Sequence, residues 1–126
     1  MYFIECNSGG IIGNMGGGTI INSFNTGSII SATKNNRNAS SQANAGGIAE
    51  ILYDGSPPTT SPTIANCYNT GTIRTNGVNY YPKSYAGGIV GWTYSSTLTN
   101  NYNVGSVTAQ SSQSKSYYLS RRHCRL

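Results

Sequence analysis

Acidic side chains are almost missing from this chain. Glu5, Glu50 and Asp54 are the only three among 126 residues, too few to furnish the paired carboxylates that acid–base hydrolysis needs. Histidine occurs once, at His123, and no His-Glu-x-x-His run is present. Cys6, Cys67 and Cys124 are odd in number and widely spaced, which excludes a disulfide framework and Cys-x-x-Cys metal or redox chemistry. A zinc site at His123 and Cys124 would need two distant ligands. Neither G-x-x-x-x-G-K-[ST] nor G-x-G-x-x-G occurs, so Gly9-Gly10 and Gly16-Gly17-Gly18 read as turn glycines and not as a phosphate cradle. Apolar runs are short. None reaches bilayer length, and no cationic stretch followed by an apolar one opens the chain, so neither a membrane span nor a signal peptide is expected. These absences predict no catalytic residue, no cofactor and no metal ligand, hence not an enzyme.

What is present is repetition. Thr19-Ile-Ile-Asn-Ser-Phe-Asn-Thr-Gly-Ser-Ile29 returns as Thr63-Ile-Ala-Asn-Cys-Tyr-Asn-Thr-Gly-Thr-Ile73 and again as Thr97-Leu-Thr-Asn-Asn-Tyr-Asn-Val-Gly-Ser-Val107. A shorter phrase precedes each copy: Gly9-Gly-Ile-Ile-Gly13, Gly46-Gly-Ile-Ala-Glu50 and Gly87-Gly-Ile-Val-Gly91. Gly10 to Ile20 and Gly88 to Leu98 both span ten positions, whereas Gly47 to Ile64 is seven longer. The excess, Asp54-Gly-Ser-Pro-Pro-Thr-Thr-Ser-Pro62, reads as an insertion at one turn. No stretch shows sustained apolar residues at helical spacing, and the apolar residues are mostly β-branched or aromatic, so both phrases read as strands. Asn-Thr-Gly tolerates positive φ and is expected to turn the chain at the same place in every copy.

Stacked copies put like on like. Ile20, Ile64 and Leu98 form one expected core column, and Ile29, Ile73 and Val107 another. Phe24, Tyr68 and Tyr102 form an aromatic column. Asn22, Asn66 and Asn100 form one amide column, and Asn25, Asn69 and Asn103 a second. Antiparallel hairpins would not set identical positions side by side, but parallel coils do. The fold expected is therefore all-β: a parallel β-solenoid, right-handed and β-helix-like, built of about three repeats of two short coils each.

The combination Gly-Gly-Ile-Val-Gly, a spacer, and Ile-x-Asn-Cys-Tyr-Asn-Thr-Gly-x-Ile resembles the GLUG-motif repeats of large bacterial surface proteins, which are adhesin- or haemagglutinin-like. It covers roughly residues 9–109, with Asn66-Cys67-Tyr68-Asn69-Thr70-Gly71 the best match and departures at Glu50 and Val104. The resemblance implies a β-helical stalk or display scaffold, extracellular or on the cell surface, with host or cell-surface glycans or proteins as partners. It implies no catalytic residues.

The expected organisation is residues 1–8 finishing a preceding coil, repeats at 9–31, 46–75 and 87–109, and an atypical tail at 110–126, disordered or out of frame, that bears the only histidine. The chain is expected to continue into further repeats of a larger protein. The net charge of +5 does not predict nucleic-acid binding, because Lys115, Arg121, Arg122 and Arg125 all lie in the tail and leave the repeat body nearly neutral. Cys67 aligns with Ser23 and Asn101 and reads as a small buried rung residue. Glu50 and Asp54 flank the insertion and read as ordinary exposed loop charges. Tyr80, Tyr81, Tyr85, Trp92 and Tyr94 read as loop aromatics packing over the open end of the solenoid, although exposed rings there would also stack on sugars. The functional expectation is a non-enzymatic structural or adhesive repeat segment of a surface or secreted protein. The alternatives are a remnant of a polysaccharide-acting β-helix enzyme and a gene fragment without a function of its own. No ligand-binding residue is identified.

Overall fold

The computed structural model describes residues 2–34, 39–53, 61–79 and 81–113. Within them the chain winds three times through the same five strand positions. The first coil is made of β1 (Tyr2–Gly9), β2 (Ile12–Met15), β3 (Thr19–Ile21), β4 (Phe24–Asn25) and β5 (Ile29–Thr33). The second is β6 (Ala39–Gly46), β7 (Ala49–Tyr53), β8 (Thr63–Ala65), β9 (Tyr68–Asn69) and β10 (Ile73–Asn79). The third is β11 (Tyr81–Gly87), β12 (Val90–Tyr94), β13 (Thr97–Thr99), β14 (Tyr102–Asn103) and β15 (Val107–Gln113). Equivalent strands pair in parallel, giving five sheets of three strands with the second coil in the middle of each. The fold is a parallel β-solenoid.

The register is the one the repeats dictate: Ile20, Ile64 and Leu98 pair across, as do Ile29, Ile73 and Val107. Each repeat supplies one coil, however, and not two. The two phrases lie on successive faces of the same coil because the segments between repeats are strands as well. Of the segment 1–8, read as the end of a preceding coil, residues 2–8 belong to β1, which pairs with β6 from Tyr2↔Ala39 to Gly9↔Gly46. The repeat also outlasts residue 109: Gln110, Ser111, Ser112 and Gln113 continue β15 against Asn76 to Asn79. The rest of the tail, with His123 and Cys124, lies outside the described residues, as do Asp54 and Tyr80.

Two glycine columns make the coils possible. A Cβ on Gly9, Gly46 or Gly87 would fall 1.8, 1.8 or 1.7 Å from the carbonyl oxygen of Ile12, Ala49 or Val90, so only glycine allows this sharp corner. Gly71 and Gly105 serve close approach between coils: a Cβ on Gly71 would lie 2.0 Å from the Gly27 oxygen, and one on Gly105 1.9 Å from the Gly71 oxygen. The Asn-Thr-Gly glycines therefore matter for stacking and not for positive φ. The left-handed residue is the earlier asparagine, at φ 53° for Asn22, 55° for Asn66 and 52° for Asn100. Asparagine tolerates that region better than other residues carrying a Cβ.

The interior has two compartments. Met15, Ile48, Ala49, Ile64 and Cys67 form an apolar core, with Ile12, Ile20, Ile89 and Val90 packed against it. Where the β1–β6–β11 sheet faces β5–β10–β15, small polar groups replace it. Ser31 Oγ donates to the Cys6 carbonyl at 2.8 Å, Thr33 Oγ1 to Ser41 Oγ at 3.2 Å, and the Gly77 N–H to Ser84 Oγ at 2.9 Å. The sheets approach so closely that a Cβ on Gly77 would meet the Lys83 carbonyl at 2.5 Å. Buried polar groups are tolerable here because they bond one another across the gap.

Candidate functional site: a carboxyl and amide cluster at the glycine corner

Along β6, Ser41, Ala43 and Ala45 are buried on the face turned to β5 and β10, so by strand alternation Asn44 points the other way. It is nonetheless wholly buried. At the Gly46-Gly47 corner the chain folds back, bringing β7 against this opposite face of the sheet. Ala49 faces the apolar core and its neighbour Glu50 points away from it, onto the same side as Asn44. The adjacent coils have Gly13 and Gly91 at this position, which leaves room for one long side chain between backbone walls.

The first coil contributes Glu5 and Asn7, in register with Gln42 and Asn44. Asn44 Nδ2 donates to Asn7 Oδ1 at 2.9 Å and to Glu5 Oε1 at 3.4 Å. In the reversed orientation of its own amide, Asn7 instead places nitrogen at this position and donates to Glu50 Oε2, Glu5 Oε1 and the Cys6 carbonyl, all acceptors at 3.3 Å. Glu50 Oε1 and Asn44 Oδ1 are buried without a hydrogen-bond partner. Burial, reinforced by the nearby Glu5 charge and only partly offset by the Asn44 amide, pushes the Glu50 carboxyl from 4.5 up to about 8. Glu50 is thus no exposed loop charge. It is a buried strand residue, and the structure brings it together with Glu5, 45 positions earlier.

The other expected site residues are dispersed. Cys67 is buried with its thiol 3.2 Å from the Ala65 carbonyl, the small rung residue foreseen, and Cys6 is a free thiol. Tyr81, Tyr85, Trp92 and Tyr94 lie in strands β11 and β12 and not in loops, and all are exposed. The Phe24–Tyr68–Tyr102 column stacks with ring centroids 5.0 and 5.2 Å apart. Among the described residues no three His, Cys, Asp or Glu side chains converge, and no helix is long and apolar enough to cross a membrane. Reading only titratable ligands overlooks the amides. The available signal was that Asn7 and Asn44 both stand two residues before a Gly-Gly corner. The chain matches no family model, no curated protein and no solved structure.

Proposed function

We propose that the chain is a non-enzymatic structural and adhesive repeat segment of a bacterial cell-surface or secreted protein, of the GLUG-motif kind it resembles. The observation that carries this reading is the direction of its side-chain interactions. Asn25 donates to Asn69 and Asn69 to Asn103, each at 2.7 Å, and the aromatic rings stack along the same axis. Such ladders join identical positions of successive coils, the construction of a scaffold that extends by repetition. The exposed rings of Trp92 and Tyr94 supply flat apolar surface of the sort that stacks on sugars, so host or cell-surface glycans are the partners this reading favours.

Glu5 and Glu50 do place two carboxyl groups on neighbouring coils, as a polysaccharide-cleaving site would require. Glu50 has no exposed surface with which to meet a substrate, and that favours the non-enzymatic reading. A glycan array tests the proposal. Binding that is lost in Trp92→Ala and Tyr94→Ala is the expected result. Turnover of an acidic polysaccharide that disappears in Glu50→Gln would overturn it.

A further inference from the structure

The two ends of the coil stack complement each other. Strands β1 to β5 are the outer strands of their sheets at one end, and β11 to β15 at the other. The asparagine ladder gives these ends opposite polarity. Asn69 Oδ1 accepts from Asn25, and Asn69 Nδ2 donates to Asn103. Among the described residues, Asn25 Oδ1 keeps only its bond from the Gly27 N–H, and Asn103 Nδ2 only its bond to the Gly105 carbonyl. One end presents an acceptor where the other presents a donor. Charge runs the same way. Glu5 and Lys83 are both in register with Gln42, one in each outer coil, and both are exposed. Gly27 is the independent sign. A Cβ on Gly71 or Gly105 would strike the glycine carbonyl of the preceding coil, but one on Gly27 meets only Asn25 Oδ1, at an ordinary 3.5 Å. Its φ is not positive either. Nothing in the described coils requires glycine there, whereas a coil stacked on β1–β5 would.

We propose that a second copy of this chain supplies that coil. Copies stack head to tail, the β11–β15 end of one on the β1–β5 end of the next, in the register the coils already use. Asn103 Nδ2 then donates to Asn25 Oδ1, and Lys83 faces Glu5. Tyr102 and Phe24, the exposed outer rings of the aromatic column, meet and continue its stacking. The Gly105 carbonyl takes the place beside Gly27 that the Gly27 carbonyl takes beside Gly71. The apolar columns left exposed at Leu98 and Val107 are covered in the same step. Such an interface is heterologous and does not close, so it generates a filament along the solenoid axis. It rests on the stacking geometry and not on glycan binding.

Sedimentation velocity on the purified full chain tests this. The expected result is a mass that rises with concentration through dimer and trimer. Lys83→Glu or Glu5→Lys alone should weaken association at least about tenfold, because each sets like charges in register. Mixing the two variants should restore it, since each then meets its opposite at both ends. Gly27→Ala should abolish association and leave the melting temperature of the monomer unchanged. A chain folded by circular dichroism that stays monomeric from about 1 µM to about 1 mM would overturn the proposal and leave these ends to coils of another sequence. So would undiminished association in Gly27→Ala or in either charge variant, or a mixture that fails to recover it.

Discussion

Asn69 fills every valence of its amide. Nδ2 donates to the Gly71 carbonyl at 2.8 Å and to Asn103 at 2.7 Å, while Oδ1 accepts from Asn25 at 2.7 Å and from the Gly71 N–H at 3.2 Å. It is wholly buried, so truncation strands the groups it serves. Asn69→Ala is expected to cost about 2–3 kcal/mol in urea unfolding, and Asn103→Ala, exposed at the end of the ladder, about 1 kcal/mol or less. Glu50 carries the opposite lesson, a polar group short of partners. Its folded pKa of about 8 exceeds the unfolded 4.5, so the native state holds the proton more tightly. Stability from this group is complete below pH 4.5, declines as pH rises towards 8, and levels above. Facing it are the Glu5 carboxylate and the amides of Asn7 and Asn44. Urea midpoints measured against pH should show that decline, and Glu50→Gln should flatten it.

Among the elements, position in the stack decides how much a residue matters. Ile64 and Ile73 are wholly buried in the middle coil, whereas their column mates Leu98 and Val107 are 45% and 41% exposed on the third. Ile64→Ala should therefore cost about 2–5 kcal/mol and Leu98→Ala well under half of that, as read by thermal or urea melts. The left-handed turn at Asn66 makes a sharper contrast: Asn66→Gly should be nearly neutral and Asn66→Val destabilising by about 1–2 kcal/mol. The columns were legible in the sequence because parallel pairing sets identical positions side by side, so Ile on Ile and Asn on Asn identify themselves. The strands between repeats were not. Ala39–Gly46 reads ASSQANAG, and although Ala43 and Ala45 alternate with Gln42 and Asn44, its inward residues Ser41, Ala43 and Ala45 are small and neither β-branched nor aromatic, so they lack the usual strand signal. Asn-Thr-Gly was legible as a special site, but for the wrong reason, since steric room between backbones leaves the same glycine signature as positive φ. Of the candidate site, the oddity of Glu50 among glycines was visible. Its burial was not, because that depends on a corner folding β7 against the outer face of β6.

Among the described residues the fold is nearly one-dimensional: each coil pairs with its neighbour in the stack, and the second coil has a paired coil on both sides. Cooperativity should then run along the axis through the backbone pairing, the asparagine and aromatic ladders, and the Glu5–Asn7–Asn44–Glu50 cluster joining the first two coils. The central structural claim is that one repeat makes one coil, in register with the next. Arg74 and Thr108 are exposed register partners on β10 and β15, so they test it directly. Adjacent parallel strands lie about 4.8 Å apart, within disulfide reach, whereas repeats of two coils would separate these positions to roughly 9–10 Å, beyond it. With Cys6 and Cys124 replaced by serine, Arg74→Cys/Thr108→Cys should close an intramolecular disulfide on mild oxidation, detected as a two-dalton mass loss with Cys67 still reduced. A folded double variant that stays fully reduced would contradict the one-coil repeat.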